Sequence, residues 1–322
     1  MSNPPTSGKS HASGAAPSDS KFELLLFRLG VAAGSQQREL FGINVFKVRE
    51  IVVNPPITYM VNAPEHLSGL ANVRGQLIPV IDLPKIASCT PQTDHGVVLV
   101  TEFGRTTQAF RVDEVVEIVQ VEWRQVVAAE GSGSGLVSGV ARLDGDKPES
   151  RLAQVLDVEQ ILSSVFPRAA GHAEQTAGLP KVQLPAGTVI LVADDSAVAR
   201  MLIEESLRAM GVPFVDAKNG KEAWERLEAF QASAAREGKT IRDKVALVLT
   251  DLEMPEMDGF TLTRNIKGDG RYAGLPVIVH SSLTGSATEG HASSAGADAY
   301  IAKFEPRELA ECIRQTLVAS GH

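Results

Sequence analysis

The pattern of apolar and polar positions divides the chain into two halves with different predicted architectures. In the N-terminal half, short apolar stretches alternate with turn residues. The predicted strands are residues 22–29, 40–45, the two arms of 69–83 around Gly75, 96–102, 107–119 and 152–156. A short helix is predicted at residues 158–162. Many short strands of this kind are typical of small all-β barrels.

From Thr188 onward, apolar strands alternate with amphipathic helices. The predicted strands are residues 189–193, 212–215, 245–249, 276–280 and 299–302, and the last helix begins near Pro306. Strand–helix units of this kind predict a doubly wound parallel α/β sheet over residues 188–320. Residues 167–187 contain three prolines and predict an interdomain linker. Residues 1–20, rich in Ser, Gly, Pro and Ala, predict a disordered N-terminus.

Length and charge narrow the classes of function. The 322 residues are enough for two domains that each bury a core. The net charge of −8 argues against a dedicated nucleic-acid binder, which is usually basic. No stretch approaches the roughly 18 apolar residues of a membrane span, and the N-terminus lacks the order of a signal peptide. Because the two cysteines also show no CxxC spacing, we expect a cytoplasmic protein with reduced thiols.

Polar residues stand at the carboxyl ends of the predicted strands in the C-terminal half. They are Asp194, Asp195, Asp251, Ser281 and Lys303. One at a time, such residues are more often helix caps or solvated charges, but parallel strands bring these ends to one crevice. Three converging carboxylates repel one another, so positive charge must compensate, and a hard divalent cation such as Mg²⁺ is the natural choice. The ammonium and the hydroxyl suit phosphoryl oxygens, and the central Asp251 is then the nucleophile.

The stretch TDLEMPEMDG at residues 250–259, together with these polar residues, resembles the response-regulator receiver domain. The resemblance implies that Asp251 accepts a phosphoryl group and that Mg²⁺ binds Asp194, Asp195, Asp251 and the backbone carbonyl of Glu253. It further implies that Lys303 and the switch hydroxyl of Ser281 contact the phosphoryl group, and that Tyr300 is the aromatic switch.

Three positions depart from the receiver pattern. Phe304 follows the lysine where the family usually has proline, residues 228–244 form a longer segment than usual, and His280 replaces an aliphatic residue. None of these departures removes a chemical group from the site, although Phe304 bears on the placement of the lysine.

The N-terminal half resembles the CheW family of chemotaxis coupling proteins over residues 21–166. The segments FGINVFKVREI, APEHLSGLANVRGQLIPVIDL and AFRVDEVVEIVQVEW carry the resemblance. It implies two intertwined five-stranded SH3-like barrels that bridge chemoreceptors and the histidine kinase CheA. The binding positions of the family correspond to Val48, Glu50 and Arg74. On periodicity alone, Glu50 and Arg74 are solvated charges on a strand and in a turn.

A CheW-like domain followed by a receiver domain resembles the CheV type of chemotaxis protein. The resemblance implies a cytoplasmic adaptor at chemoreceptor arrays that couples receptors to CheA. Phosphorylation of Asp251 would serve adaptation or a phosphate sink, without enzymatic turnover beyond the transfer to its own aspartate. One alternative is a response regulator with another protein-interaction output. Another is a phosphatase with an aspartyl nucleophile, although that chemistry usually has a second Asp where Glu253 stands.

A transcriptional regulator is not expected. The sequence ends a few residues after the last predicted helix, which leaves no room for a helix-turn-helix, and no basic patch is present.

Overall fold

The computed structural model describes residues 21–93, 96–103, 106–129, 136–166, 176–282, 286–303 and 305–321. The predicted disordered segment 1–20, the first part of the predicted linker and Phe304 lie outside the described residues. No helix within the described ranges is both long enough and apolar enough to cross a membrane.

The described residues of the N-terminal domain contain fourteen strands. They are β1 (Lys21–Arg28), β2 (Val31–Ala32), β3 (Leu40–Asn44), β4 (Val48–Val53), β5 (Ile57–Thr58), β6 (Leu67–Val73), β7 (Gln76–Asp82), β8 (Cys89–Thr90), β9 (Val97–Phe103), β10 (Thr106–Val112), β11 (Glu114–Glu122), β12 (Val126–Ala128), β13 (Val137–Arg142) and β14 (Leu152–Leu156). The helices are α1 (Leu83–Ile86) and α2 (Val158–Val165), and 3-10 turns cover Val45–Lys47 and Trp123–Gln125.

Twelve of these strands form two six-stranded sheets, in the orders β11-β1-β3-β14-β13-β12 and β4-β9-β10-β7-β6-β5. Each sheet has its own apolar cluster, and a larger cluster joins the sheets around Phe27, Phe41 and Phe110. The family resemblance implies five strands in each barrel. The sixth strand of each sheet is short, since β12 has three residues and β5 has two.

The hairpin predicted at residues 69–83 is confirmed as β6 and β7. Its two turn residues, Arg74 and Gly75, have φ of 53° and 85°. A two-residue turn with both φ values positive matches the twist of the strands it joins. The Asn72 side chain accepts a hydrogen bond from the Gly75 amide at 2.9 Å. The turn therefore holds a non-glycine residue, Arg74, in the left-handed region, which costs conformational energy.

The prediction of a single strand at residues 107–119 is wrong. The structure breaks it at Asp113, so that β10 belongs to the second sheet and β11 to the first. The buried Asp113 carboxylate accepts hydrogen bonds from the amides of Gln92 and Thr93 and pairs with Arg38 at 2.8 Å. An apolar run on both sides of Asp113 does not show where the chain passes from one sheet to the other.

The C-terminal domain is the predicted doubly wound α/β fold. Its strands are β15 (Val189–Ala193), β16 (Phe214–Ala217), β17 (Val245–Thr250), β18 (Val277–Ser281) and β19 (Ala299–Ala302). Its helices are α3 (Ala197–Met210), α4 (Gly220–Arg236), α5 (Gly259–Gly268), α6 (Ser286–Ser294) and α7 (Pro306–Ala319). The strands are all parallel, in the order β16-β15-β17-β18-β19. Every residue of the central β17 is buried.

The predicted linker and the long segment at residues 228–244 both contribute structure to the C-terminal domain. Leu179, in the predicted linker, is buried in the core of the C-terminal domain, and Val182 and Leu184 pack against the same core. The long segment at residues 228–244 continues α4 to Arg236 and ends in a 3-10 turn at Ile241–Asp243. The additional length is therefore mostly helix.

His280 makes the stability of the C-terminal domain depend on pH. The side chain is 4% exposed, and its Nδ1 has no hydrogen-bond partner among the described residues. Burial, with repulsion from Lys303, lowers the pKa of His280 to about 3. The folded protein therefore keeps this imidazole neutral while the unfolded chain protonates it near its ordinary pKa of 6.5. Because the unfolded state then binds more protons, stability falls as the pH drops below 6.5.

We expect the His280 contribution to decrease by about 2 kcal/mol between pH 7 and pH 5. Urea unfolding of the wild type and His280→Val at both pH values measures it. The wild type should lose about 2 kcal/mol more stability than the variant on acidification. An equal loss in both proteins would contradict a buried neutral imidazole.

Candidate functional site

The predicted polar residues meet at the carboxyl edge of the parallel sheet. Asp194 and Asp195 follow β15, and Asp251 follows β17. Lys303 follows β19, beside Ser281 at the end of β18. Backbone hydrogen bonds between neighbouring strand ends align these residues. The Asp251 amide donates to the Ala193 carbonyl at 2.8 Å, and the Lys303 amide donates to the Ser281 carbonyl at 2.9 Å.

Local sequence explains the shape of this edge. The Ser196 hydroxyl caps α3, and the Ser196 amide donates to Oδ1 of Asp194 at 3.0 Å. Asp258 caps α5 by accepting from the Thr261 amide. Gly259 passes so close to the Asp251 carbonyl that a Cβ atom there would lie 1.9 Å from the oxygen. Only glycine fits this approach, which brings the start of α5 up to the phosphoacceptor candidate.

Lys303 lies between the carboxylates. Oxygens of Asp194, Asp195 and Asp251 lie within 4.8 Å of one another. Nζ of Lys303 is 2.8 Å from Oδ2 of Asp194 and 3.1 Å from Oδ2 of Asp251. Asp194, Asp251 and Lys303 are almost completely buried, whereas Asp195 is half-buried. The second oxygen of Asp251 accepts a hydrogen bond from the Leu252 amide at 2.7 Å.

The electrostatics of this acidic pocket favour a bound cation. Burial raises the pKa of Asp251 to about 6, against the opposing effect of Lys303. Burial and the neighbouring carboxylates also raise the pKa values of Asp194 and Asp195. Burial alone would lower the pKa of Lys303, but the carboxylates of Asp194, Asp251 and Glu159 raise it well above its ordinary value. A cluster of hard oxygen donors with excess negative charge fits a divalent cation such as Mg²⁺.

Ser281 and Tyr300 lie beside the pocket. Ser281 is fully buried, and Tyr300 is half-buried. Burial raises the pKa of Tyr300 to about 12, with a hydrogen bond to Ser281 acting in the opposite direction. The two predicted switch residues are therefore in contact with each other.

Glu253 faces the N-terminal domain through its side chain. Nζ of Lys47 lies 2.9 Å from Oε2 of Glu253, and the Asn44 side-chain amide donates to Oε1. These three residues, with Asp195, line a cleft between the domains. The metal-binding role of the Glu253 backbone carbonyl stays a prediction.

Sequence reasoning missed Glu159, which lies in the first turn of α2 in the N-terminal domain. Its Oε1 accepts a hydrogen bond from Nζ of Lys303 at 2.9 Å. An acidic residue in the first turn of a helix is ordinarily explained by the helix dipole, so the sequence offered no signal for this contact. The acidic pocket therefore contains a fourth carboxylate, supplied by the other domain.

The predicted partner-binding residues of the N-terminal domain are also close together. Arg74, in the β6–β7 turn, pairs with Glu50 of β4 through Nη2 and Oε2 at 2.9 Å. The Arg74 side chain is 79% exposed and the Glu50 side chain 21%. Val48, at the start of β4, is partly buried against the large apolar cluster.

Comparisons with known proteins divide the chain at the same point as its fold. A CheW-like domain family matches residues 23–166, and a response regulator receiver domain family matches residues 190–314. Chemotaxis protein CheV1 of Helicobacter pylori is 30% identical over 322 residues, covering 93% of this chain and 94% of the relative. Chemotaxis protein CheV2 of the same organism is 29% identical over 312 residues, covering 92% and 94%.

Among solved structures, the scaffolding protein TtCheW from Thermoanaerobacter tengcongensis is similar to the chain. It has 23% identity and a TM-score of 0.37, and the match covers 43% of this chain and 90% of that protein.

Proposed function

Because the chain belongs to the CheV family of chemotaxis proteins, we propose that it couples chemoreceptors to the histidine kinase CheA under the control of phosphorylation at Asp251. The observation that carries the proposal is the acidic pocket. Three carboxylates and one buried lysine ammonium meet at the carboxyl edge of the sheet. The coupling would take place in the cytoplasm at receptor arrays. Phosphorylation of Asp251 would serve either adaptation or a phosphate sink.

Each group in the pocket has a distinct role in the proposed transfer. Oδ2 of Asp251 attacks phosphorus, the bond from phosphorus to the kinase histidine nitrogen breaks, and the imidazole leaves with the electron pair and takes up a proton. Lys303 supplies positive charge for the phosphoryl oxygens, and Ser281 supplies a hydroxyl donor. Bound Mg²⁺, held by Asp194, Asp195 and Asp251, would neutralise the charge that develops on these oxygens.

The experiment that tests this proposal mixes the protein with radiolabelled phosphorylated CheA and Mg²⁺. Label should move from the kinase to the protein, and chelation of Mg²⁺ with EDTA should prevent the transfer. Retention of all label on the kinase in the presence of Mg²⁺ would overturn the phosphoacceptor role. Continuous release of phosphate from unrelated phosphoesters would instead favour the phosphatase alternative.

The coupling half of the proposal rests on the surface around the Arg74–Glu50 pair. Several large apolar side chains of the same sheet and its loops are exposed to solvent. They are Ile51, Val53, Tyr59, Val61 and Leu77. Exposed large apolar side chains and an exposed arginine on one sheet are features of protein-binding surfaces.

We expect Arg74→Ala to weaken co-sedimentation with receptor-containing membranes and CheA. Truncation of an arginine at the centre of an interface typically weakens binding roughly tenfold or more. The matched control is Arg142→Ala, which removes an exposed arginine that pairs with Asp146 at the end of the other sheet. Equal co-sedimentation of Arg74→Ala, Arg142→Ala and the wild type would rule out Arg74 as part of the binding surface.

A further inference from the structure

The N-terminal domain covers the acidic pocket of the receiver domain. Helix α2 packs against α3, and the Glu159 side chain enters the pocket from α2. Its Oε1 binds Nζ of Lys303, and its Oε2 is buried without a hydrogen-bond partner among the residues that the structure describes. The side chains of Glu159 and Lys303 are 6% and 0% exposed. A carboxylate of the N-terminal domain thus forms a buried ion pair with an ammonium of the C-terminal domain.

A second contact holds the two domains together near the pocket. Asn44 and Lys47, at the end of β3 and in the 3-10 turn that follows, both bind the Glu253 side chain. The Lys47 and Glu253 side chains are 16% and 10% exposed. Glu253 lies two residues after Asp251, so this contact seats the N-terminal domain on the loop that carries the phosphoacceptor.

In this arrangement all three hydrogen-bond donors of the Lys303 ammonium face carboxylates, and none is left for a phosphoryl group. A lysine ammonium has three donors. Carboxylate oxygens of Asp194, Asp251 and Glu159 lie within 3.1 Å of Nζ. Asp194 and Asp251 are fixed by the strands of their own sheet, whereas Glu159 belongs to a separate domain. A phosphoryl group also brings close to two negative charges and would repel the Glu159 carboxylate.

We propose that Glu159 is an internal plug of the phosphorylation site, so that phosphorylation of Asp251 and docking of the N-terminal domain exclude each other. This inference rests on the proposed function, since it takes Asp251 as the phosphoacceptor. Coupling between two events is reciprocal: docking of α2 slows phosphorylation, and phosphorylation releases α2 and the turn at Asn44–Lys47. The released surface would then be available to partners in the phosphorylated protein alone.

Phosphorylation rates of the full-length protein test the plug. The donor is acetyl phosphate with Mg²⁺: Oδ2 of Asp251 attacks phosphorus, the bond from phosphorus to the acetyl oxygen breaks, and acetate leaves with the electron pair. Glu159→Gln, which keeps the shape and removes the charge, should be phosphorylated roughly tenfold faster than the wild type. Asn44→Ala changes no charge and should be accelerated about threefold by weaker docking. The exposed Glu149→Gln is the control and should match the wild type.

Hydrogen exchange of the wild type, compared with Asp251→Asn, gives a second readout. Beryllium fluoride with Mg²⁺ mimics the phosphoryl group, and it should accelerate amide exchange in α2 roughly tenfold in the wild type. It should have no such effect in Asp251→Asn. Acceleration in the wild type together with faster phosphorylation of Glu159→Gln supports the plug.

Two results would overturn the plug while leaving the proposed function intact. One is a Glu159→Gln rate equal to or below that of the wild type, with label still reaching Asp251. The other is faster phosphorylation of Glu159→Gln without any change in α2 exchange, because the effect would then be local to the pocket. If neither acetyl phosphate nor phosphorylated CheA phosphorylates the wild type, the proposed function is overturned, and the plug with it.

Discussion

An Asp251→Asn variant is expected to accept no phosphate from CheA and yet to be more stable than the wild type. The amide cannot act as the nucleophile, so transfer should fall to the detection limit. Stability should rise because the pKa of Asp251 is raised from 3.8 to about 6 in the folded state. A raised pKa means that the folded state disfavours the carboxylate, so the charge costs stability above the ordinary pKa of the group. A pKa difference of this size corresponds to about 3 kcal/mol at pH 7.5.

Urea unfolding without Mg²⁺ measures the gain in stability, and transfer of label measures the loss of function. The control is Asp216→Asn, the same chemical change on the partly buried β16, which should alter stability by less than about 0.5 kcal/mol. The gain should shrink as the pH falls below 6, because the folded wild type then protonates the group and no longer buries the charge. A variant that is labelled like the wild type, or that is less stable than it, would contradict the role given to the pocket.

Lys303→Met is expected to destabilise the protein strongly. The substitution keeps most of the side-chain volume and removes the cation between three buried carboxylates. Removal of one partner from a buried ion pair typically costs about 3–5 kcal/mol, because the opposite charge is left uncompensated. The loss should be smaller at pH 5 than at pH 7.5, since the carboxylates then protonate more readily.

Thermal and urea unfolding in the absence of Mg²⁺ measure this loss. Lys239→Met is the matched control, since it removes a lysine from an exposed pair with Glu237 and should leave the unfolding transition unchanged. Mg²⁺ should recover more stability in Lys303→Met than in the wild type. Unfolding curves of Lys303→Met and Lys239→Met that coincide would show that the lysine does not balance the pocket.

The sequence predicted the pocket because its geometry follows from strand order. Asp194, Asp195, Asp251 and Lys303 each stand directly after an apolar strand, and parallel strands place such residues at one edge. The hairpin at Arg74 was predictable for a similar reason, since the turn residues and the strands they join are adjacent in the chain.

The contacts between the domains were not predictable from local pattern. Glu159 and Lys303 are 144 residues apart in the chain, and Asn44 and Glu253 are 209 apart. None of these four residues belongs to a motif that identifies its partner. The division at Asp113 failed for a related reason, because apolar spacing reports burial of a strand and not the sheet to which it belongs.

The most direct test of the account compares binding to receptor–CheA arrays with and without beryllium fluoride and Mg²⁺. The fraction of wild-type protein that sediments with the arrays should change when the phosphoryl mimic is added, and the Asp251→Asn variant should show no change. Identical sedimentation of the wild type in both conditions, with the mimic demonstrably bound, would contradict the claim that phosphorylation at Asp251 controls coupling.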